Sequence, residues 1–319
     1  MKHFAHNPPI ALMPSPSATV IPIADKLYLI ALTPPLPGFD RFLGVWLYTG
    51  PPAFLVDVGP SSTSAALLQA LEDIGIRHLD YLLMTHVHID HAGGVGQIAE
   101  VFPKSRIVGH PQGLPHLIQP ERLWEGALQT LGATAQGYGA IRAVPPDRIM
   151  DVAALDEPLI QPIPTPGHAP HHISYRVGDI LFAGEAGGVC LPAGNGLLYL
   201  RPATPPRFFL DVTLNSIDRL RAAAFRHIAY SHFGFFKDAP ALLQSHRDQL
   251  LLWESTIGRI LSEDGLHGIG TSCLEQLLKE DVRLEGYWSL PASEQRREEG
   301  FLRNSVQGFV GYLRERHNR

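Results

Sequence analysis

A chain of 319 residues, 45% of them apolar, is long enough for one large domain or two smaller ones around a sizeable core. Its 26 Lys and Arg against 31 Asp and Glu give a formal charge of −5 and no long basic run, which excludes a typical nucleic-acid partner. Pro8, Pro9, Pro14, Pro16 and Pro22 interrupt every apolar stretch near the start, no membrane span is apparent, and a cytoplasmic location is expected. Cys190 and Cys273 are too few for a disulfide framework and read as buried thiols.

From Lys26 to Val58 the pattern predicts three strands, KLYLIAL, LGVWLYT and AFLVDVG, and then a helix from Ser61 to Ile74 closed by Gly75. A further strand, LDYLLMT, runs into MTHVHIDHAGG, which sets His86, His88, Asp90 and His91 within six residues. Period-2 geometry aims His86 and His88 to one side and continues that row to Asp90, while His91 points elsewhere at the turn that Ala92, Gly93 and Gly94 allow. Ligands in two directions suit two neighbouring metal ions better than one. Val95, Ile98, Ala99 and Phe102 make the inner face of an amphipathic helix.

A short strand from Arg106 to Val108 precedes a Gly/Pro-rich stretch, about 111–146, that reads as an insertion over the site with one helix from Pro120 to Leu131. ISYRV and DILFAG form a hairpin about Gly178 and Asp179, and HIAYSH, His227 to His232, is a later strand. Residues 1–237 are thus one domain and 238–319 a helical extension. In the extension Leu243, Leu250, Trp253, Ile257 and Ile260 share a face up to Gly265, Ser272 with Glu275 reads as a capping box, and Leu302, Val306, Phe309 and Leu313 line the last helix. The seam through Trp253 is expected to bury itself on the rest of the chain or to form a homodimer interface.

Three later segments place a ligand side chain just after a β-like run: TPGHAPHH with His168, LFAGEAGG with Glu185 and AYSHFG with His232. His-x-His-x-Asp-His is rarely accidental, whereas Glu185 has a helix-cap alternative. Asp57, in VDVGPS, either orients a ligand imidazole or closes an Asx turn. His171 and His172 read equally as polar residues at a strand start. His110 and His116 lie in or beside the insertion, and Tyr138, Tyr199, Arg201 and Lys237 are candidate contacts to a substrate carbonyl or carboxylate.

THVHIDHAGG, TPGHAPHH and the acidic residue and histidine that follow resemble, in that order, the metallo-β-lactamase superfamily, above all its glyoxalase II-like hydrolases, over about residues 20–235. The resemblance implies an α+β fold, a four-layer αββα sandwich, with the helical extension after it. His86, His88 and His168 would then hold one divalent ion and Asp90, His91 and His232 a second. Glu185 would occupy the bridging slot where the family commonly places Asp. Zinc is the expected metal, with iron and manganese as competitors. Two such ions against Asp90, Glu185 and one hydroxide leave the site mildly positive, and Asp90 would orient a metal-bound hydroxide toward the carbonyl of a small ester, thioester or lactone. The competing readings are a mononuclear iron persulfide dioxygenase and a metal-binding protein without catalysis.

Overall fold

The computed structural model describes residues 15–223, 225–264 and 269–317. β-branched, aromatic and leucine-rich runs broken by Pro and Gly make the first half of the chain a sheet former. Strands β1 (Ser17–Ala24), β2 (Leu27–Thr33), β3 (Leu43–Tyr48) and β4 (Phe54–Val56) pair antiparallel. From β4 the sheet continues in parallel through β5 (Tyr81–Leu83), β6 (Arg106–Gly109) and β7 (Ile149–Asp151), giving seven strands in sequence order.

Parallel neighbours need crossovers. They are α1 (Ser64–Asp73), then α2 (Ile89–Ala92) with α3 (Val95–Val101), then α4 (Pro115–Ile118), α5 (Glu121–Leu131) and α6 (Ala133–Tyr138). Gly75 ends α1 as expected: its φ is +78°, and the N–H groups of Gly75 and Ile76 donate to the Glu72 and Leu71 carbonyls. The stretch expected to be an insertion with one helix carries three, because Pro115 opens a turn of its own and Gly132, at φ +55°, breaks α5 from α6.

The second sheet has the order β14-β13-β10-β9-β8, built from β8 (Ile160–Pro164), β9 (Ile173–Val177), β10 (Ile180–Gly184), β13 (His227–Tyr230) and β14 (Phe235–Lys237). Between β10 and β13 the chain forms a ribbon, β11 (Val189–Pro192) with β12 (Leu198–Arg201), and the helix α7 (Leu210–Ala222). The sheets pack face to face through Trp46, Phe54, Tyr175 and Phe182, all buried. Polar pins cross between them: the Trp46 indole donates to the Tyr230 carbonyl at 3.0 Å, the Gly44 N–H to the Ser231 carbonyl at 2.8 Å, and the Tyr175 hydroxyl to the Met84 carbonyl at 2.9 Å. With helices outside, this is the αββα sandwich.

The extension consists of α8 (Ala239–Asp264), α9 (Ile269–Glu280), a 3₁₀ segment (Val282–Ser289) and α10 (Ala292–His317). Its seam is spent inside the chain: Leu243, Leu250, Trp253, Ile257 and Ile260 are all buried in the same core as the sheets, so none is free for a partner. Ser272 and Glu275 do not cap α9. Ser272 lies within its first turn, because Ile269 and its neighbours already carry the helix. Gly265 falls outside the described residues.

One ionic knot fastens the extension to the sandwich. Glu298, buried on α10, accepts from Arg201 of β12 and from Arg297 Nε at 2.8 Å, while Arg297 also donates to the Gly38 carbonyl. Burial alone would push the Glu298 carboxyl up, but Arg201 and Arg297 outweigh it and hold the group below its ordinary value. A carboxylate depressed on folding contributes stability that is present above the unfolded pKa and lost as pH falls through the folded one. Glu298→Gln should therefore cost about 3–5 kcal/mol at neutral pH by leaving buried guanidinium unpaired. In urea titrations its deficit relative to the parent should shrink below the ordinary carboxylate range.

Candidate metal centre

The ligand side chains gather where strand ends meet: Asp57 after β4, His86 and His88 after β5, His168 between β8 and β9, Glu185 after β10 and His232 after β13. The extended row expected from His86 to Asp90 does not form. β5 stops at Leu83, His88 precedes α2, and Asp90 and His91 stand in that single helical turn. The change from extended chain to a helical turn after His88 ends the period-2 row, and Asp90 and His91 join a different donor group from His86 and His88. Gly93 is needed here for space rather than for φ, since a Cβ would lie 2.1 Å from the Ile89 carbonyl oxygen.

Two donor groups result. His86, His88, His168 and Glu185 form one, and Asp90, His91 and His232 the other, the ligand atoms within each lying within 4.8 Å of one another. Glu185 reaches both: its Oε2 is 2.7 Å from His168 Nε2 and 3.4 Å from the Nε2 atoms of His86 and His91, and its Oε1 is 3.1 Å from His232 Nε2. Asp90 Oδ2 stands 3.7 Å from both His91 and His232.

Partners behind the rings fix which nitrogen faces inward. His91 Nδ1 donates to Asp57 Oδ2 at 2.9 Å and His168 Nδ1 to the Ala203 carbonyl at 2.7 Å. The Thr85 hydroxyl gives its proton to Asp57, so it accepts from His86 Nδ1 at 3.0 Å. All three rings therefore turn Nε2 toward the centre, where His91 Nε2 is buried without a hydrogen-bond partner among the described residues. His88 Nδ1 lies 3.0 and 2.9 Å from the Nε2 atoms of His86 and His168, a crowding of nitrogens that one shared proton cannot satisfy. Such a donor set fits divalent metal ions.

Electrostatics divide the cluster. Burial, then repulsion from His91 and His88, pushes His86 well below the ordinary imidazole value, and burial followed by His168 brings His88 down to about 3. His91 goes well above: burial works against its charge, but Asp90 and Asp57 prevail. Burial also opposes His168 and Glu185, yet their mutual attraction raises the first and, with His232, holds the second well down. Neutral His86 and His88 present lone pairs as they stand.

Above the cluster lies a cavity of about 420 Å³ whose lining includes His88, Asp90, His168, Glu185 and His232. His116, Tyr138 and Arg201 also line it, whereas among the other sequence candidates Lys237 is exposed on β14 and Tyr199 is buried away from it. Tyr138 is 1% exposed and its hydroxyl has no hydrogen-bond partner among the described residues. His171 Nε2 accepts the Val87 N–H at 3.3 Å. Sequence reasoning missed Thr85, Ser231 and Phe42, whose ring stacks on His232 at 4.5 Å. Thr85 and Ser231 each stand immediately before a candidate ligand, whereas Phe42 had no such signal.

Residues 45–232 match the family model described as the metallo-beta-lactamase superfamily. The chain belongs to this superfamily. The metallo-beta-lactamase fold-containing protein ST1585 of Sulfurisphaera tokodaii is 29% identical over 181 residues, 54% of this chain and 67% of that protein. A hydroxyacylglutathione hydrolase of Shewanella baltica is 29% identical over 179 residues, 55% of each chain, so the match spans about half of that enzyme. Among solved structures, the metallo-beta-lactamase superfamily protein ST1585 from Sulfolobus tokodaii superposes with a TM-score of 0.65 at 21% identity, covering 93% of this chain and 99% of that one. TTHA1429 from Thermus thermophilus gives 0.60 at 20% identity, with 96% and 95% covered. These superpositions establish the shared fold.

His172, which with His171 reads also as a polar residue at a strand start, is fully buried and seats Glu185. Its Nε2 accepts the Glu185 N–H at 3.1 Å, so its proton is on Nδ1, 2.8 Å from the Thr165 hydroxyl. Gly184, at φ +57°, makes that approach possible, since a Cβ would lie 2.4 Å from His172 Nε2. Gly184→Ala should destabilise the protein by more than about 1 kcal/mol. Adding His172→Ala removes the obstructing atom, so the two losses measured by thermal unfolding should sum to more than the loss of the double variant.

Proposed function

We propose that this chain is a metal-dependent hydrolase of a small ester, thioester or lactone, working with two divalent ions, zinc before iron or manganese. The observation that carries this reading is the Glu185 carboxylate, which spans two donor groups at the floor of a ligand-sized cavity. His86, His88 and His168 would hold one ion, Asp90, His91 and His232 the other, with Glu185 between them. Similarity to proteins named hydroxyacylglutathione hydrolases supports a thioester among the candidates.

Bound metal would supply a more acidic water and polarise a carbonyl. The chain's own groups do the rest. Asp90 lines the cavity and faces both His91 and His232, a position from which it orients the water and takes part in moving its proton. Asp57 holds His91 in the tautomer that leaves Nε2 free. Burial, followed by Asp90, pushes the Tyr138 hydroxyl well above its ordinary value, so it remains protonated and can donate to the oxygen on which charge develops.

Metal quantification and a panel of thioesters, lactones, phosphodiesters and persulfides, run on one preparation, test the reading. Two ions per chain with thioester or lactone turnover is the expected result. One iron per chain with oxygen uptake on a persulfide would replace it, and firmly held metal without turnover would leave only a binding protein. Tyr138→Phe should lower kcat/KM about a hundredfold with metal content unchanged.

A further inference from the structure

The walls of the cavity differ in kind from its floor. From α5 come Leu123, Ala127 and Leu131, spaced four apart on one helix face, and from α10 comes Phe301. Pro205 and Pro206 close a third side. No residue of α5 is buried, although its apolar face is as regular as that of a helix packed on a core. That face is half-buried against the edge of the core and lines the cavity.

Some of the polar groups in these walls are committed to one another, while Arg122, His116, Thr134 and Asn304 also line the cavity. Arg201 is paired with Glu298, the Thr204 hydroxyl donates to the Ser305 carbonyl, the Ser305 hydroxyl to the Pro202 carbonyl, and the Thr130 hydroxyl to the Gly126 carbonyl. A charged or strongly hydrated substituent set against Leu123, Ala127, Leu131 and Phe301 would lose water without gaining partners there. An apolar one would cover surface that is now wet.

We infer that the substrates of this site carry an apolar acyl group of medium length, seated between α5, α6 and α10 with its carbonyl at the floor. The inference rests on the hydrolase reading for the bond that is cleaved, but the recognition of the chain stands on the cavity alone. About 420 Å³ lies in the lower part of the range for small-molecule sites, enough for an acyl chain and too little for a whole carrier, which would remain outside. Hydrolysis adds a water oxygen to the carbonyl carbon and breaks its bond to the carrier oxygen or sulfur, which leaves with a proton. The carboxylic acid product keeps the apolar chain in the cavity.

Acetyl, butyryl, octanoyl and palmitoyl thioesters of one carrier test this, together with calorimetric titration of the protein with acetate and octanoate. Burial of each added methylene is worth about fourfold, so kcat/KM should rise at least about a hundredfold from acetyl to octanoyl and level off by palmitoyl. Octanoate should bind correspondingly more tightly than acetate. Gly126 lines the cavity where an added Cβ meets nothing within 4 Å, so Gly126→Phe fills it without disturbing packing and should lower the octanoyl-to-acetyl ratio at least about tenfold in both measurements. Equal rates along the series, or octanoate binding no tighter than acetate or unaffected by Gly126→Phe, overturns the inference. Absence of turnover on every thioester counts against the hydrolase reading, and the titrations then decide the acyl site by themselves.

Discussion

The Asp57 carboxylate is the point on which the rest of the site depends. It is 1% exposed and accepts four hydrogen bonds, from the Thr85 N–H and hydroxyl, the Ser231 hydroxyl and His91 Nδ1. An ionised carboxylate in such a place is affordable only with partners of this number. Those partners come from the end of β5, the end of β13 and the turn of α2, so a single side chain ties both sheets to the ligand segment. Asp57 adopts φ +59°, a conformation that aspartate tolerates better than most residues. Strained backbone at this strand end is the cost of aiming the carboxylate back between the sheets.

From that anchor the cluster is assembled by rigid neighbours rather than by loops alone. Each inward nitrogen has an outward partner that fixes its tautomer: Thr85 for His86, Asp57 for His91 and the Ala203 carbonyl for His168. Phe42 supports His232 from the side by stacking, and Arg297 lies 4.0 Å above the same phenyl ring. Arg297 also belongs to the Glu298 knot. The helical extension is thereby joined to the metal-facing edge through one aromatic ring, and it supplies Phe301 to the cavity. It is part of the site's architecture, not a passive tail.

What could be read from the sequence was what is local. Four candidate ligand residues within six positions announce themselves, and the segments around His168, Glu185 and His232 each carry a ligand-type residue close after a β-like run. The hairpin at Gly178 and the termination of α1 at Gly75 were legible for the same reason, since turn chemistry is local. The row from His86 to Asp90 was misread because strand period was continued past the point where β5 lacks a pairing partner. β1, the β11–β12 ribbon and α7 went unread, their patterns being short or mixed. The cavity was beyond reach in principle, because its walls come from α5, from Pro205 and Pro206, and from α10, regions joined only by tertiary packing.

Glu185 is where local and tertiary constraints meet. With one more methylene than aspartate, its carboxylate would overshoot a centre between the two donor groups unless the backbone were set back. The main chain at this point is held in place. Gly184 adopts a positive φ and lies so close to His172 that no Cβ fits, and the next N–H is held by His172 Nε2. His172 is itself fixed by a chain through Thr165 and Ser174 to the Ala183 carbonyl, on the same strand that carries Glu185. The loop is closed: β10 positions Ser174, Ser174 orients Thr165 and His172, and His172 returns to the first residue after β10. The longer acid stands on a main chain fixed by His172, and its two oxygens reach His168 on one side and His232 on the other. A glutamate held in this way is compatible with a carboxylate that spans both donor groups.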